Sequence, residues 1–434
     1  MTRRWVNWAR TESSLPAVIA APRSAEQVVA AVLRARETGH TVKPIGASHS
    51  FTAIGATDGI RIDLSRMRGL VTADTKLQQV TLWGGTHLWE VPTLLEPLGL
   101  AMPNLGDIDK QTITGATQTG THGTGLEFGG IATGIVAAQI VTGTGEVLQI
   151  DATHHPELLP AVALGLGALG VVLTVTLQCV PRFLLRAEEA PAQLDDVLAT
   201  FDERVRAADH FEFFWFPHTQ SVRTKTNTRL PLDTAHTPLG RVARLLDEEL
   251  ANNVAFGACS AVGSLIPGAV PRINRLVEQV SSRRSYAGES HRVLVTNRRV
   301  RFREMEYGVP LAAVPEVMRE LGQLITGRGY NVSFPIEVRA AAADHLMLST
   351  ASGRETGYIA VHRYWRDAED DYFREAEAIL AAHDGRPHWG KMHTQRAASL
   401  RASYPMFDEF VAVRNRLDPD RVFSNPYLTR VLGD

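Results

Sequence analysis

Pro156-Glu-Leu-Leu-Pro-Ala-Val-Ala-Leu-Gly165-Leu-Gly-Ala-Leu-Gly170-Val-Val-Leu-Thr-Val-Thr-Leu-Gln178 admits three readings. From Leu158 to Pro181 the chain carries no charge and is long enough to cross a bilayer. Gly165 to Gly170 also matches G-x-G-x-x-G literally, with Glu188 and Glu189 near the acidic position of a dinucleotide fingerprint. Three glycines crowd the middle, and Val171 to Gln178 is β-branched and alternates toward its end, as a strand does. The fingerprint requires a strand before the glycines and a helix after them, so that the helix N-terminus meets the pyrophosphate. Here a helical stretch, Pro156 to Leu164, comes first and a strand follows. The segment is read as a buried helix–turn–strand whose glycines let chain pack closely.

Toward the N-terminus the elements are short. Val18 to Ala20 reads as a strand, Ser24-Ala-Glu-Gln27 as a capping box opening a helix, and Gly39 as its stop. Strands follow at Thr41 to Ile45, Gly59 to Leu64 and Gln78 to Trp83. A hairpin is predicted for Ile135 to Ile150 around Gly143-Thr-Gly145. Beyond Pro181 the texture changes. His210 to Pro217 is a dense aromatic strand, and Thr228 to Gly240 is a Pro/Thr-rich loop. Helices are expected at Ala312 to Gly327, Asp367 to His383 and Phe407 to Leu417, and strands at Val332 to Arg339 and Tyr358 to Tyr364. The class is α+β, with a boundary near 181 and no fixed-period repeat.

The 434 residues carry 45 Lys+Arg against 47 Asp+Glu, a net charge of −2. No polybasic footprint for nucleic acid exists, and ordinary apolar content excludes a mostly disordered chain. Two cysteines, Cys179 and Cys259, exclude a disulfide framework and multi-thiolate zinc sites. They fit a reducing compartment, so a cytoplasmic location is expected. The basic N-terminus lacks the apolar core of a secretory signal. Neither a transmembrane segment nor a metal site is expected.

Three segments carry chemistry. Pro44-Ile-Gly-Ala-Ser-His-Ser-Phe51 delivers His49 at the tip of a small-residue turn, whose N–H groups can form an anion nest. A lone histidine in a turn is also commonly structural. Gly115-Ala-Thr-Gln-Thr-Gly-Thr-His-Gly-Thr-Gly125 offers close backbone approach and hydroxyl donors suited to a phosphate or heterocycle edge. Glu337 and Arg339 stand two apart, as do His362 and Tyr364, so on strands each pair shares a face. A plain salt bridge is the simpler reading of the first pair. Lys391 lies in the stiff aromatic turn Arg386 to Lys391.

Together and in this order, these segments resemble the aldonolactone oxidoreductases of the vanillyl-alcohol oxidase flavoprotein superfamily, and the resemblance covers nearly the whole chain. Gly46-Ala-Ser-His-Ser50 is similar to the flavin-attachment loop usually read G-S-G-H-S. Ala47 and Ser48 depart from that wording, while His49 keeps the place of the histidine that bonds the flavin. Thr119-Gly-Thr-His-Gly-Thr-Gly125, Leu166-Gly-Ala-Leu-Gly-Val171 and His388-Trp-Gly-Lys391 are specific in combination. The resemblance implies a two-domain FAD fold: residues 1–181 for the cofactor, 182–387 as an antiparallel-sheet substrate cap, and 388–434 returning to the FAD domain. Cofactor contacts are implied for Ile45, Gly46, Ala47, Ser48, His49, Ser50, Gly106, Gly115, Thr119, Thr121, His122, Gly123, Gly170 and Val171. Glu337 and Arg339 match the family's Glu-x-Arg, and His362 and Lys391 its substrate-side His and Lys. Asn104, Asp107 and Tyr364 are expected near substrate. Gly106 holds a place where a side chain can shield the flavin from oxygen.

The implied reaction oxidises the C2 hydroxyl of a sugar-1,4-lactone by hydride transfer to flavin N5. The acceptor is oxygen, releasing hydrogen peroxide, or another electron carrier. Arg339 and Lys391 suit the developing negative charge. The proton acceptor stays open between His362 and, if burial lowers its pKa, Lys391. The alternative substrate is an alditol of the xylitol or sorbitol type. Asp107 disfavours it, standing where alditol oxidases have Ser. An NAD(P) dehydrogenase rests only on Gly165 to Gly170, and a plain nucleotide- or sugar-binding module would make Glu337, Arg339 and Lys391 structural.

Overall fold

The computed structural model describes residues 4–235, 238, 256–280 and 282–434. Three main sheets organise them. Val18–Ala20, Ile60–Asp63 and Val42–Ile45 form a parallel sheet. It packs with the helix Ala25–Thr38 through Val28, Val32 and Ala35. That helix ends at Gly39, whose φ of +67° suits a residue without Cβ. Ser24 makes no capping hydrogen bond, so the expected capping box does not form; Gln27 instead accepts from the Arg23 N–H.

A five-stranded antiparallel sheet holds Val147–Ile150, Ile135–Val141, Val171–Gln178, Gln79–Trp83 and Leu70–Asp74, in that order. Residues 156–162 are helical, and Leu166 and Gly167 turn the chain with φ near +58° before the strand Val171–Gln178. Among the described residues no helix is long and apolar enough to cross a membrane.

The largest sheet has eight antiparallel strands, ordered Arg284–Glu289, Leu184–Gln193, Ser221–Leu230, His210–Trp215, Ile336–Ala341, Thr356–Tyr364, Phe302–Pro310 and Arg386–Pro387. Strand alternation gives it two different faces. Phe211, Phe213, Met305, Tyr307, Val309, Ile336, Val338, Ile359 and Val361 point to one side. There they pack on Val314, Val317, Met318, Leu321 and Ile325, the apolar stripe of the helix Val314–Arg328. Burying each such side chain stabilises by about 1.5–3 kcal/mol. Glu212, Lys225, Glu304, Glu306, Glu337, Arg339 and His362 point the other way, and they too are buried or nearly so. Charge on a buried face needs partners.

Some boundaries move. The helix predicted from Asp367 starts at Tyr372, after Asp370 accepts the Tyr372 N–H. The strand predicted from Val332 begins at Ile336. Thr228 to Leu230 complete a strand paired with Leu184 to Arg186, rather than opening a loop. Residues 236, 237, 239 and 240 of that loop lie outside the described residues. The C-terminal residues return to the first sheet. Val42 N–H donates to Val422 at 2.7 Å, and Asn425 Nδ2 holds the carbonyls of Ala53, Ile54 and Ala56.

Candidate active site

The strand Val42–Ile45 runs directly into the turn 46–50. Ser48 sits there with φ +60°, a left-handed conformation that costs a non-glycine residue about 1 kcal/mol. Trp5 Nε1 donates to Ser48 Oγ at 2.8 Å, the Trp8 N–H to the Ser48 carbonyl at 2.8 Å, and the Phe51 N–H to the Gly390 carbonyl at 2.7 Å. The turn is thus pinned on both sides of His49. The His49 ring stacks on Trp8, with centroids 5.7 Å apart and planes at 27°. Burial, with help from Lys110 and Lys391, pushes its pKa down to about 4. The imidazole is therefore neutral at pH 7, with a nitrogen lone pair free for bonding.

Two cavities meet at this residue. The larger, about 290 Å³, is walled by Ile45 to Ser50, Gly115, Thr119, Gly170 and the 84–85 and 111–114 segments. The smaller, about 90 Å³, is walled by Gly106, Asp107, Thr121, His122, Glu337, Arg339 and Lys391, among others. His49, Ser50, Gln111 and Thr119 line both. The larger cavity presents hydroxyls and backbone N–H groups between glycine walls. A Cβ on Gly46 would run into the Thr112 hydroxyl, and one on Gly170 would stand 2.6 Å from the Val141 carbonyl. A glycine-walled cleft with hydroxyl groups that reaches a neutral histidine beside a charged chamber fits FAD.

The charged chamber is built from facing strands. Arg339 is its centre: Nε donates to Glu212 at 2.8 Å, and Nη2 contacts Glu337 Oε1 at 2.7 Å and Asp107. Arg298 lies 2.5 Å from Asp107 Oδ2 and 3.4 Å from Glu337 Oε2. Burial opposes ionisation of Asp107, but Arg298 and Arg339 outweigh it and hold the carboxyl well below its usual range. Glu337 goes the other way: burial raises its pKa despite Arg339, and Asp107 adds to the rise.

Lys391 pairs with Glu304 and stands 3.8 Å from Glu306, with its ammonium over Phe51. Burial alone would lower its pKa; the two carboxylates outweigh burial and raise it. The condition under which Lys391 would accept a proton is not met, and it is a fixed cation. Glu304 is brought down to about 2: burial opposes this, and Lys391 and His362 overcome it.

His122 Nε2 lies 3.2 Å from Glu306, Nδ1 donates to the Gly123 carbonyl, and the ring lies on Tyr358. His122, Glu306 and His388 place ligand-type atoms within 4.8 Å of one another. His388 Nδ1 accepts the Gly390 N–H, so its other nitrogen carries the hydrogen, and the Lys391 ammonium faces Glu306. This is a hydrogen-bonded ion cluster rather than a cation cage.

Five expected residues do not line either cavity. His362 is held behind Glu304, its Nδ1 donating to Pro335. Tyr364 packs with Phe334 and Trp365. Asn104 bonds Thr124 and Leu105. Val171 faces the Val28–Val32 core, and Gly123 makes room for the Leu105 carbonyl. Conversely, Arg298, Glu304, Glu306, His388 and Trp8 line the smaller cavity unforeseen. Glu304 and Glu306 had the same two-residue spacing as Glu337 and Arg339. Arg298, between Asn297 and Arg299 in an irregular segment, had no local signal.

The family model for D-arabinono-1,4-lactone oxidase matches residues 175–431, more than half the chain, and a model for an FAD binding domain matches residues 16–151. The chain belongs to the D-arabinono-1,4-lactone oxidase family. It is an FAD-dependent oxidoreductase. It is 40% identical over 433 residues to an L-gulono-1,4-lactone dehydrogenase of Mycobacterium tuberculosis, covering 100% of both chains. It is 31% identical to an L-gulonolactone oxidase of Bos taurus, covering 99% of this chain and 98% of the other. In fold it is similar to cholesterol oxidase from Brevibacterium sterolicum, with a TM-score of 0.81 at 17% identity over 100% of this chain and 97% of that one. The fold is the vanillyl-alcohol oxidase type expected from the sequence.

Proposed function

We propose that the protein oxidises the C2 hydroxyl of a sugar-1,4-lactone of the L-gulono-, L-galactono- or D-arabinono- type. The observation that carries this reading is the meeting of the glycine-walled cleft and the charged chamber at His49. The names of the M. tuberculosis and Bos taurus relatives support the substrate class. In this reading residues 1–181 hold the cofactor, 182–387 cap it, and 388–434 return to the first part.

FAD, when bound, supplies the hydride acceptor. Arg339 and Lys391, fixed cations lining the chamber, stabilise negative charge developing on the substrate oxygen without reorganising. Of the carboxylates facing the chamber, Glu337 has its basicity raised by burial, whereas Asp107, Glu304 and Glu306 are held as weak bases. Glu337 is therefore the proton acceptor in our reading, in place of His362 or Lys391. His49, neutral and at the junction of the cavities, is the residue that attaches the flavin covalently. Oxygen or another carrier then takes the electrons; the two relatives are named one as a dehydrogenase and one as an oxidase.

The test is anaerobic mixing of the yellow protein with a panel of aldono-1,4-lactones and alditols. Bleaching of the flavin absorbance by lactones supports the reading. Bleaching by alditols alone replaces it with the alditol oxidase.

A further inference from the structure

Residues 295–300 follow the short helix Ser290–Leu294 and have no regular structure. This segment is tied to the floor of the smaller cavity, because the Thr296 N–H donates to the Asp107 carbonyl at 2.9 Å. Two residues on, Arg298 enters the cavity wall with its guanidinium over Phe214, 5.7 Å from the ring centroid. Asp107 gives one carboxylate oxygen to Arg298 and the other to Arg339. Arg298 makes these contacts through Nη2, and its side chain, 29% exposed, lines the cavity.

We propose that Arg298 is a specificity-determining residue that, positioned by Asp107, contacts the lactone carbonyl and ring oxygen and so favours closed lactones over open-chain polyols. The inference rests on the lactone reading above. A guanidinium offers five donors and no acceptor. Carbonyl and ring oxygens only accept, so they satisfy those donors with no proton left over. A polyol places a hydroxyl there, which accepts from the guanidinium only while its own proton competes for Asp107 or Glu337, carboxylates already committed to Arg298 and Arg339. A site built on directed hydrogen bonds discriminates strongly in this way, because unmatched buried polar groups are costly. Asp107 has a second effect. By sitting between Arg298 and Arg339 it lets two buried cations share one wall.

The experiment uses the flavin-loaded enzyme and two variants, Arg298→Met and Arg298→Lys. Steady-state kinetics are measured with L-gulono-1,4-lactone and with xylitol, alongside the bound-flavin spectrum and the melting temperature. A hydrogen bond to a charged group is worth roughly a 10- to 100-fold change in binding. Arg298→Met should raise the lactone KM by about that factor; because Arg298 also touches Glu337, any fall in kcat is expected with both substrates alike, and the substrate ratio carries the test. The lactone-to-xylitol ratio of kcat/KM should fall by the same factor as the KM rises. Arg298→Lys, which keeps the charge and loses the planar fork, should recover only part. If Arg298→Met does not retain flavin, the lysine variant alone decides through the same ratio. A wild-type enzyme active on the lactone, with the ratio unmoved in the folded variants, overturns the inference and leaves the lactone reading standing. A wild-type enzyme active on xylitol and inactive on lactones overturns both.

Discussion

Arg339 and Glu337 stand two residues apart on one strand, and their side chains meet at 2.7 Å on the face away from the apolar core. Arg339 also takes Glu212 and Asp107, so three carboxylates converge on one guanidinium. Removing it leaves uncompensated buried charge, which typically costs about 3–5 kcal/mol. Arg339→Ala is therefore expected to lower stability as well as activity. Arg339→Lys keeps the charge and loses the fork, and separates the two effects. It should melt close to wild type yet reduce its flavin on the order of a hundredfold more slowly, about 3 kcal/mol of lost charge stabilisation. Wild-type reduction by lactone in rapid-mixing traces of Arg339→Lys would make the residue structural.

His49 should hold the flavin covalently. Acid precipitation of the wild type is expected to leave the flavin absorbance in the pellet, and His49→Ala should release it to the supernatant. Free flavin from the wild type would sink this expectation.

Ser48 pays a conformational penalty that glycine would not, and it accepts a hydrogen bond from Trp5. Ser48→Ala keeps the left-handed strain and loses the bond; Ser48→Gly loses the bond and the strain together. The glycine variant should be the more stable of the two by about 1 kcal/mol. Thermal melts of both variants check the order, and equal melting temperatures would show the turn to be unstrained.

Gly106 bears on oxygen access, but a methyl group there has little free space. A Cβ on Gly106 would lie 2.9 Å from the His122 carbonyl, so the backbone must shift. The tight-turn role gains over a simple gate. Gly106→Ala is expected to slow flavin reduction by substrate and reoxidation by oxygen together. Timing the half-reactions separately checks this; slowing confined to reoxidation would restore the gate.

Lys43 is buried in the cofactor cavity wall, its ammonium donating to the carbonyls of Gly167 and Phe423. Burial pushes its pKa down to about 7, partly offset by Asp418, with Arg414 adding to the fall. An unfolded lysine titrates near about 10.4. Between those values the unfolded chain binds the extra proton, so this group makes stability rise with pH from about 7 toward 10, and its penalty is fully present below 7. Lys43→Met should remove a slope of up to about 1.4 kcal/mol per pH unit in that window. Urea unfolding at pH 7, 8 and 9 measures it. Parallel curves for wild type and variant would rule the titration out.

Alternation along strands, glycine stops and reversed element order were legible in the sequence because they are local. They place Glu337 with Arg339 on one face, bar a nicotinamide fingerprint at Gly165 to Gly170, and mark the turn that presents His49. Helix starts were less legible, as at Tyr372, because local side-chain bonds compete for the same N–H groups. Tertiary structure alone decided which charges meet. Glu304 and Glu306 reach Lys391, and Arg298 reaches Asp107, across more than eighty residues of chain. No local pattern records such pairings, because they are fixed by the order of strands in the eight-stranded sheet and by the return of the C-terminal segment. The same long-range field set the proton assignments. Lys391 is a solvated side chain by its residue type; two carboxylates from a neighbouring strand make it a half-buried, permanent cation.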